Sequence, residues 1–142
     1  MAEPIIVEQS FPVTRDVVWR AVTVAELMRR WYFEAIEDFR AEVGFETSFD
    51  VDSGGRVFRH LWQVTEVVPG RLLTYTWRYE GYDGVGATEW KLLETSAGSK
   101  LVLTCTGIQS FPQNIPEFTP QSCRAGWEYF LHQRLPAFLE GS

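Results

Sequence analysis

The chain has 142 residues, of which 45% are hydrophobic and 23% are charged, and these values are typical of one globular domain. Its formal net charge of −6 argues against a nucleic-acid partner, because phosphate binding needs a concentrated positive surface. No apolar stretch approaches the roughly 20 residues that span a bilayer, and the N-terminus has no basic region followed by an apolar run, so we expect a single cytoplasmic domain over residues 1–142.

The first elements predicted along the chain are one strand and two short helices. Apolar and polar side chains alternate over residues 5–11, as in a half-buried strand. Thr14 offers an N-cap for the first helix, and a second helix follows with Trp31 on its apolar side. Arg29 and Arg30, on the other side of the second helix, form either a partner-binding surface or, more commonly, a solvated helix face.

From Phe39 onward, apolar side chains recur at every second residue, which is the period of a strand. Turn signals such as Ser53-Gly54-Gly55 and Pro69-Gly70 separate these segments, so neighbouring strands should pair antiparallel. The predicted strands lie at about residues 45–51, 56–68, 73–79, 88–92 and 101–106. With the first strand, they form a sheet of about six or seven strands that has one apolar face.

The C-terminal segment predicts one long helix. Thr119 followed by Pro120 is a typical helix start, and large apolar residues then recur at helical spacing. Pro136 lies inside this pattern, where it removes one hydrogen bond and should kink the last turn, and Gly141 marks the expected end. Among the predicted elements, only this helix is large enough to cover the apolar face of the sheet.

Five stretches carry a resemblance to a known family: 27–33 (LMRRWYF), 39–49 (FRAEVGFETSF), 64–69 (VTEVVP), 72–77 (LLTYTW) and 125–140 (AGWEYFLHQRLPAFLE). They resemble the relatives of the C-terminal domain of the activator of heat shock protein 90 ATPase, within the START-like (birch-pollen-allergen or polyketide-cyclase-like) superfamily. The resemblance implies an α+β helix-grip fold, in which a curved antiparallel sheet wraps around a long C-terminal helix with a cavity between them. Relatives bind hydrophobic ligands, cyclise polyketides or stimulate a chaperone, and the fold alone does not choose among these.

Aromatic residues make up 15% of the chain, so the rings either fill the core or line a ligand cavity. The candidate ligand-binding residues are Phe49, Trp62, Tyr75, Trp77, Tyr79, Trp90, Phe111, Trp127 and Phe130. For any single ring, core packing is the simpler alternative, and a buried tyrosine hydroxyl such as that of Tyr75 or Tyr79 needs a hydrogen-bond partner. Phe111, Ile115 and Phe118, in the loop before the last helix, form either a lid or a patch of core.

The strand over residues 56–68 carries two weak catalytic candidates. If its even-numbered residues face inward, His60 and Glu66 point into the cavity, where burial would shift their proton affinities toward acid–base work. The alternative is that both side chains are wetted, one at the rim and one near the strand end. A bulge in this long strand would exchange its two faces.

No catalytic, cofactor-binding or metal-binding motif is present in the sequence. Cys105 and Cys123 show neither a CxxC spacing nor a histidine at ligand spacing, so free thiols are expected in preference to a disulfide. The leading hypothesis is a non-catalytic protein that binds a small apolar or aromatic molecule without a cofactor. The alternatives are a protein–protein regulator of a chaperone ATPase, as the resemblance implies, and a cyclase or aromatase that uses a cavity tyrosine or the His60/Glu66 pair.

Overall fold

The computed structural model describes residues 4–140, and the helix end expected at Gly141 lies outside them. The first elements are strand β1 (Ile5–Phe11) and the short helices α1 (Arg15–Thr23) and α2 (Ala25–Trp31). Five strands follow, namely β2 (Glu46–Ser53), β3 (Arg56–Val68), β4 (Leu72–Tyr79), β5 (Gly86–Thr95) and β6 (Gly98–Thr106). Two short 3₁₀ turns then lead into a C-terminal helix made of α3 (Pro120–Tyr129), a π-helical turn (Phe130–Arg134) and α4 (Leu135–Glu140).

The six strands form one antiparallel sheet in the order β1-β6-β5-β4-β3-β2, and this sheet curves around the C-terminal helix. Side chains alternate between its two faces, as the period of two in the sequence predicts. In β6, for example, Leu101, Leu103 and Cys105 are buried, whereas the residues between them are partly exposed. The α+β helix-grip fold expected from the sequence is therefore confirmed, with six strands.

The C-terminal helix begins and bends where its sequence predicts. The Thr119 hydroxyl accepts a hydrogen bond from the Ser122 N–H at 3.3 Å, and Pro120 is the first helical residue. Just before Pro136, the Leu135 N–H bonds to the Phe130 carbonyl, five residues back instead of four. The disturbance expected at Pro136 is thus a widened π turn on its N-terminal side.

Helices α1 and α2 pack together through a buried polar contact. The Trp31 Nε1–H donates to the Ala21 carbonyl at 2.8 Å, which ties the end of α2 to α1. The Arg29 guanidinium donates to the Ile36 carbonyl at 2.9 Å and so holds the chain that leaves α2. Of the two arginines considered for a partner-binding surface, Arg30 is exposed, whereas Arg29 is part of this local structure.

The loop after β6 is held by glycines against the connection between β4 and β5. Gly107 has a φ of 79°, and a Cβ at this position would lie 2.5 Å from the Val85 carbonyl oxygen. Gly84 has a φ of 109°, and its Cβ would lie equally close, at 2.5 Å, to the Ser110 carbonyl oxygen. This close approach places Phe111 over the inner face of the sheet.

Across residues 4–140, none of the helices has both the length and the apolar character needed to cross a membrane.

Candidate ligand-binding cavity

A cavity of about 320 Å³ lies between α3, one end of the sheet and the loop after β6. From the sheet it is lined by Val51, Ser53, Phe58, His60, Trp77, Tyr79 and Cys105. The segment after α2 contributes Phe33, and the loop contributes Ile108, Phe111, Glu117 and Phe118. The C-terminal helix contributes Ser122, Cys123, Gly126, Trp127 and Phe130. Mostly aromatic walls with a few polar groups are typical of small-molecule sites of this size.

His60 supplies a polar group to the cavity because of its position in β3. Phe58, His60 and Trp62 alternate inward along this strand, so in this half of β3 the even-numbered residues form the inner face, which is one of the two arrangements that the sequence leaves open. His60 lies opposite Phe49 of β2 and Tyr79 of β4. The centroids of these two rings are 5.1 Å and 4.9 Å from that of the imidazole, which is therefore surrounded by aromatic rings.

The His60 imidazole is held in its neutral form. Its Nδ1 lies 3.1 Å from the Phe58 carbonyl oxygen, and its side chain is almost fully buried. Burial lowers its pKa from 6.5 to about 4, although the Phe58 carbonyl and the charge of Asp50 act in the opposite direction. At neutral pH the ring therefore carries no charge.

The other titratable groups inside the cavity are also uncharged near neutral pH. Burial raises the pKa of the Tyr79 hydroxyl well above its ordinary value, and the neighbouring Cys123 contributes to this shift. Burial also raises the pKa of the Cys105 thiol, and it raises that of Cys123 to about 12. Both cysteines are free, as the sequence predicts, although Cys123 is only partly buried. Away from the Glu117 carboxylate, the cavity walls thus offer dipoles and rings but no formal charge.

At the mouth of the cavity, a hydrogen bond and an ion pair join the β2–β3 hairpin to the second 3₁₀ turn. The Ser53 hydroxyl donates to Glu117 Oε2 at 3.0 Å, and Arg56 Nη1 lies 3.7 Å from Glu117 Oε1. The pKa of the Glu117 carboxyl is lowered, first by its own backbone N–H and then by the Ser53 hydroxyl. Its negative charge is therefore already matched by Arg56 within the protein.

The structure divides the predicted ligand-binding residues into two groups. Those that line the cavity are Trp77, Tyr79, Phe111, Trp127 and Phe130. Those that lie outside it, in the core, are Phe49, Trp62, Tyr75 and Trp90. For the second group, the core-packing alternative describes their position, and we no longer place them at the site.

Within this core group, Tyr75 and Trp90 belong to a buried chain of hydrogen bonds, which occupies the part of the space between sheet and helix that lies outside the cavity. The Trp90 Nε1–H donates to the Tyr75 hydroxyl at 3.1 Å, and this hydroxyl shares a second bond of 3.1 Å with that of Tyr32. The Tyr32 ring lies 5.7 Å from Trp62 and 5.8 Å from Trp127, between the sheet and the helix. The sequence pattern did not place Tyr32 here, because it follows α2 in a segment without regular structure. The partner expected for the Tyr75 hydroxyl is thus protein, not ligand.

Glu66 does not face the cavity, and the expected His60/Glu66 pair is absent. The register between β3 and β4 shifts between Val64 and Glu66, which is the bulge that exchanges the two faces of the strand. Beyond it, Val67 packs against the core and Glu66 is exposed. The two candidate catalytic residues therefore do not come together, since they lie on opposite faces of the strand.

Several cavity residues were missed by sequence reasoning. On the helix, Cys123 and Gly126 share the face of Trp127 and Phe130, and the helical spacing of three to four residues could have revealed them. In the loop, Phe118 stacks on Tyr79 with ring centroids 4.4 Å apart. Phe111 and Phe118 both line the cavity, whereas Ile115 packs against the core without lining it. Phe111 was among the predicted site residues and Phe118 was expected in a lid or a patch of core, but no sequence period decides which loop residues line the cavity.

Metal binding is not indicated by the arrangement of side chains. Within residues 4–140, no group of three or more His, Cys, Asp or Glu side chains is placed to hold a metal ion. Cys105, Cys123 and His60 all line the cavity but do not form such a group.

A curved antiparallel sheet that grips a C-terminal helix, with an apolar cavity between them, defines a START-like helix-grip protein. Residues 12–140 match the family described as Activator of Hsp90 ATPase homolog 1-like protein, and the chain belongs to this family. The family expected from the sequence is therefore confirmed. None of the curated proteins matches the chain significantly in sequence.

Solved structures share this fold at low sequence identity. Protein CV1439 from Chromobacterium violaceum is 24% identical, with a TM-score of 0.80 over 99% of each chain. CalU16 from Micromonospora echinospora is 27% identical, with a TM-score of 0.67 over 97% of this chain and 74% of CalU16. DynU16, a protein in the dynemicin biosynthetic locus, is 24% identical, with a TM-score of 0.73 over 99% of this chain and 48% of DynU16. The fold is consistent with ligand binding.

Proposed function

We propose that the protein binds a small, neutral, largely apolar molecule in the cavity between α3 and the sheet. The observation that carries this proposal is the glycine at position 126. Gly126 lies inside α3 and lines the cavity, and a Cβ added there would meet nothing within 4 Å. A glycine inside a helix costs about 0.5–1 kcal/mol relative to alanine, and here it also keeps open a space that a larger side chain would fill.

The character of the walls supports a neutral apolar ligand. Trp77, Tyr79 and Phe118 line the cavity, and the His60 and Tyr79 side chains beside them are uncharged near neutral pH. An ion entering this space would lose its hydration without gaining an opposite charge. The two free thiols, Cys105 and Cys123, fit a reducing setting, and we propose a cytoplasmic location on that basis.

An enzyme of the cyclase or aromatase kind is the second candidate, and one observation favours it. DynU16, which shares the fold, is a protein in a biosynthetic locus. The residues of this chain give such an activity less support, because Glu66 is exposed and a buried imidazole with a pKa of about 4 is a weak base. For regulation of a chaperone ATPase, the support is the family description alone.

The proposal is tested by filling the cavity from the helix. N-phenyl-1-naphthylamine is a neutral probe whose fluorescence rises in apolar surroundings, and wild-type protein should bind it saturably. Gly126→Leu should weaken that binding by at least about 10-fold, because the new side chain enters the open space. Gly126→Ala is the matched control, and it should retain binding because a methyl group occupies little of the cavity.

Circular dichroism of both variants checks that the helix and the sheet persist. Equal affinity in wild type and a folded Gly126→Leu variant would show that the probe binds elsewhere. If wild-type protein gives no saturable response to this probe or to a panel of apolar competitors, the protein-partner alternative becomes the leading one.

A further inference from the structure

The His60 imidazole has a defined tautomer in this fold. Its Nδ1 lies 3.1 Å from the Phe58 carbonyl oxygen, and a carbonyl oxygen can only accept a hydrogen bond. In the neutral ring the single proton must therefore be on Nδ1. The other ring nitrogen, Nε2, then carries an unshared lone pair and acts as a hydrogen-bond acceptor.

Among residues 4–140, no hydrogen bond to this acceptor is present. Nδ1 accounts for the hydrogen bond that His60 forms among residues 4–140. His60 lines the cavity and is only 5% exposed, so a molecule bound in the cavity can approach its ring.

An unpaired hydrogen-bond acceptor in a mostly apolar cavity favours a ligand that carries a hydrogen-bond donor. A buried polar atom without a partner costs free energy, and a donor group on the ligand removes that cost. A ligand oxygen that can only accept would place its lone pairs against that of Nε2. A carboxylate would also lose its hydration on entering the cavity. Arg56 could not compensate for this loss, because it is already paired with Glu117.

Resting on the proposed binding function, we propose that the natural ligand is a neutral aromatic molecule carrying a hydroxyl or N–H group, which donates a hydrogen bond to His60 Nε2. The ring system of this ligand packs against Tyr79 and Phe118, whose own rings stack at 4.4 Å. The donor group fixes the orientation of the ligand, because the remaining walls are mainly apolar. His60 is thus a specificity-determining residue.

The inference is tested with three two-ring probes of similar shape, namely 2-naphthol, 2-methoxynaphthalene and naphthalene. Calorimetry gives their affinities for wild type and for His60→Leu, which removes the acceptor. The ratio of 2-naphthol affinity to 2-methoxynaphthalene affinity should be about 5-fold or more higher in wild type than in His60→Leu. His60→Gln, which restores an acceptor oxygen, should recover part of that preference.

The outcomes separate the two proposals. Binding of all three probes with the same affinity ratio in wild type and His60→Leu overturns the role of His60 and leaves the binding function in place. If none of the three probes binds saturably, both proposals are overturned. The naphthalene affinity of His60→Leu shows whether that variant keeps its cavity, because naphthalene has no donor to lose.

Discussion

The polar side chains inside the cavity act as hydrogen-bonding groups and not as charges. The pKa of His60 lies at about 4, and those of Tyr79, Cys105 and Cys123 lie above their ordinary values, in each case first because of burial. The alternation along β3 allowed His60 to face inward but left the inner face of the strand open. It could not predict which ring nitrogen is free, because that depends on the Phe58 carbonyl in the folded strand.

The buried histidine should make stability depend on pH. The unfolded chain binds the His60 proton with a pKa of 6.5 and the folded chain with one of about 4, so the unfolded state holds more protons between these values. The contribution to stability is present above about pH 6.5 and is lost as the pH falls towards 4. Denaturant unfolding should show a loss on the order of 3 kcal/mol across this window.

His60→Leu is the control for this dependence, because it removes the titrating group. Its free energy of unfolding should fall less than that of wild type between pH 6.5 and pH 4.5. His132 remains in both proteins, so it does not contribute to the difference. Parallel pH profiles in the two proteins would mean that His60 is not held neutral by burial.

At the scale of elements, the C-terminal helix combines features that the sequence predicts with one that it conceals. The Thr119-Pro120 start follows from capping chemistry, and a disturbance near Pro136 follows from its missing N–H. The π turn itself was not predictable, because a helix can accommodate the missing hydrogen bond of a proline either by a kink or by a widened turn. Helical spacing places Gly126 on the face of Trp127, but it does not reveal that this face borders a cavity.

Trp127 should be the anchor of this helix on the sheet. Its ring lies 5.7 Å from that of Trp77 and 5.6 Å from that of Trp90, and its side chain is 6% exposed. Trp127→Ala should lower the free energy of unfolding by about 3–5 kcal/mol, as large aromatic truncations in cores do. Tyr129→Ala, on the exposed side of the same helix, should lower it by no more than about 1 kcal/mol. Equal losses in the two variants would show that the helix presents a different face to the sheet.

At the scale of the whole molecule, the fold was predictable because it depends on periods that repeat along the chain. Alternation identified the strands, and helical spacing identified the element that covers them. The extent of the hollow was not predictable, because it depends on which rings reach the centre. Tyr32 fills one end of the hollow by bonding to Tyr75, and the cavity remains at the other end beside His60. That residues 1–142 form a single domain stays a prediction.

The claim that this cavity is a ligand site is tested most directly by a crystal structure of the protein with N-phenyl-1-naphthylamine. We expect the probe between α3 and the sheet, with its rings against Tyr79 and Phe118 and one edge over Gly126. Its N–H should lie within hydrogen-bonding distance of His60 Nε2. A probe bound only on the outer surface, or a cavity closed by rearranged side chains, would contradict the account.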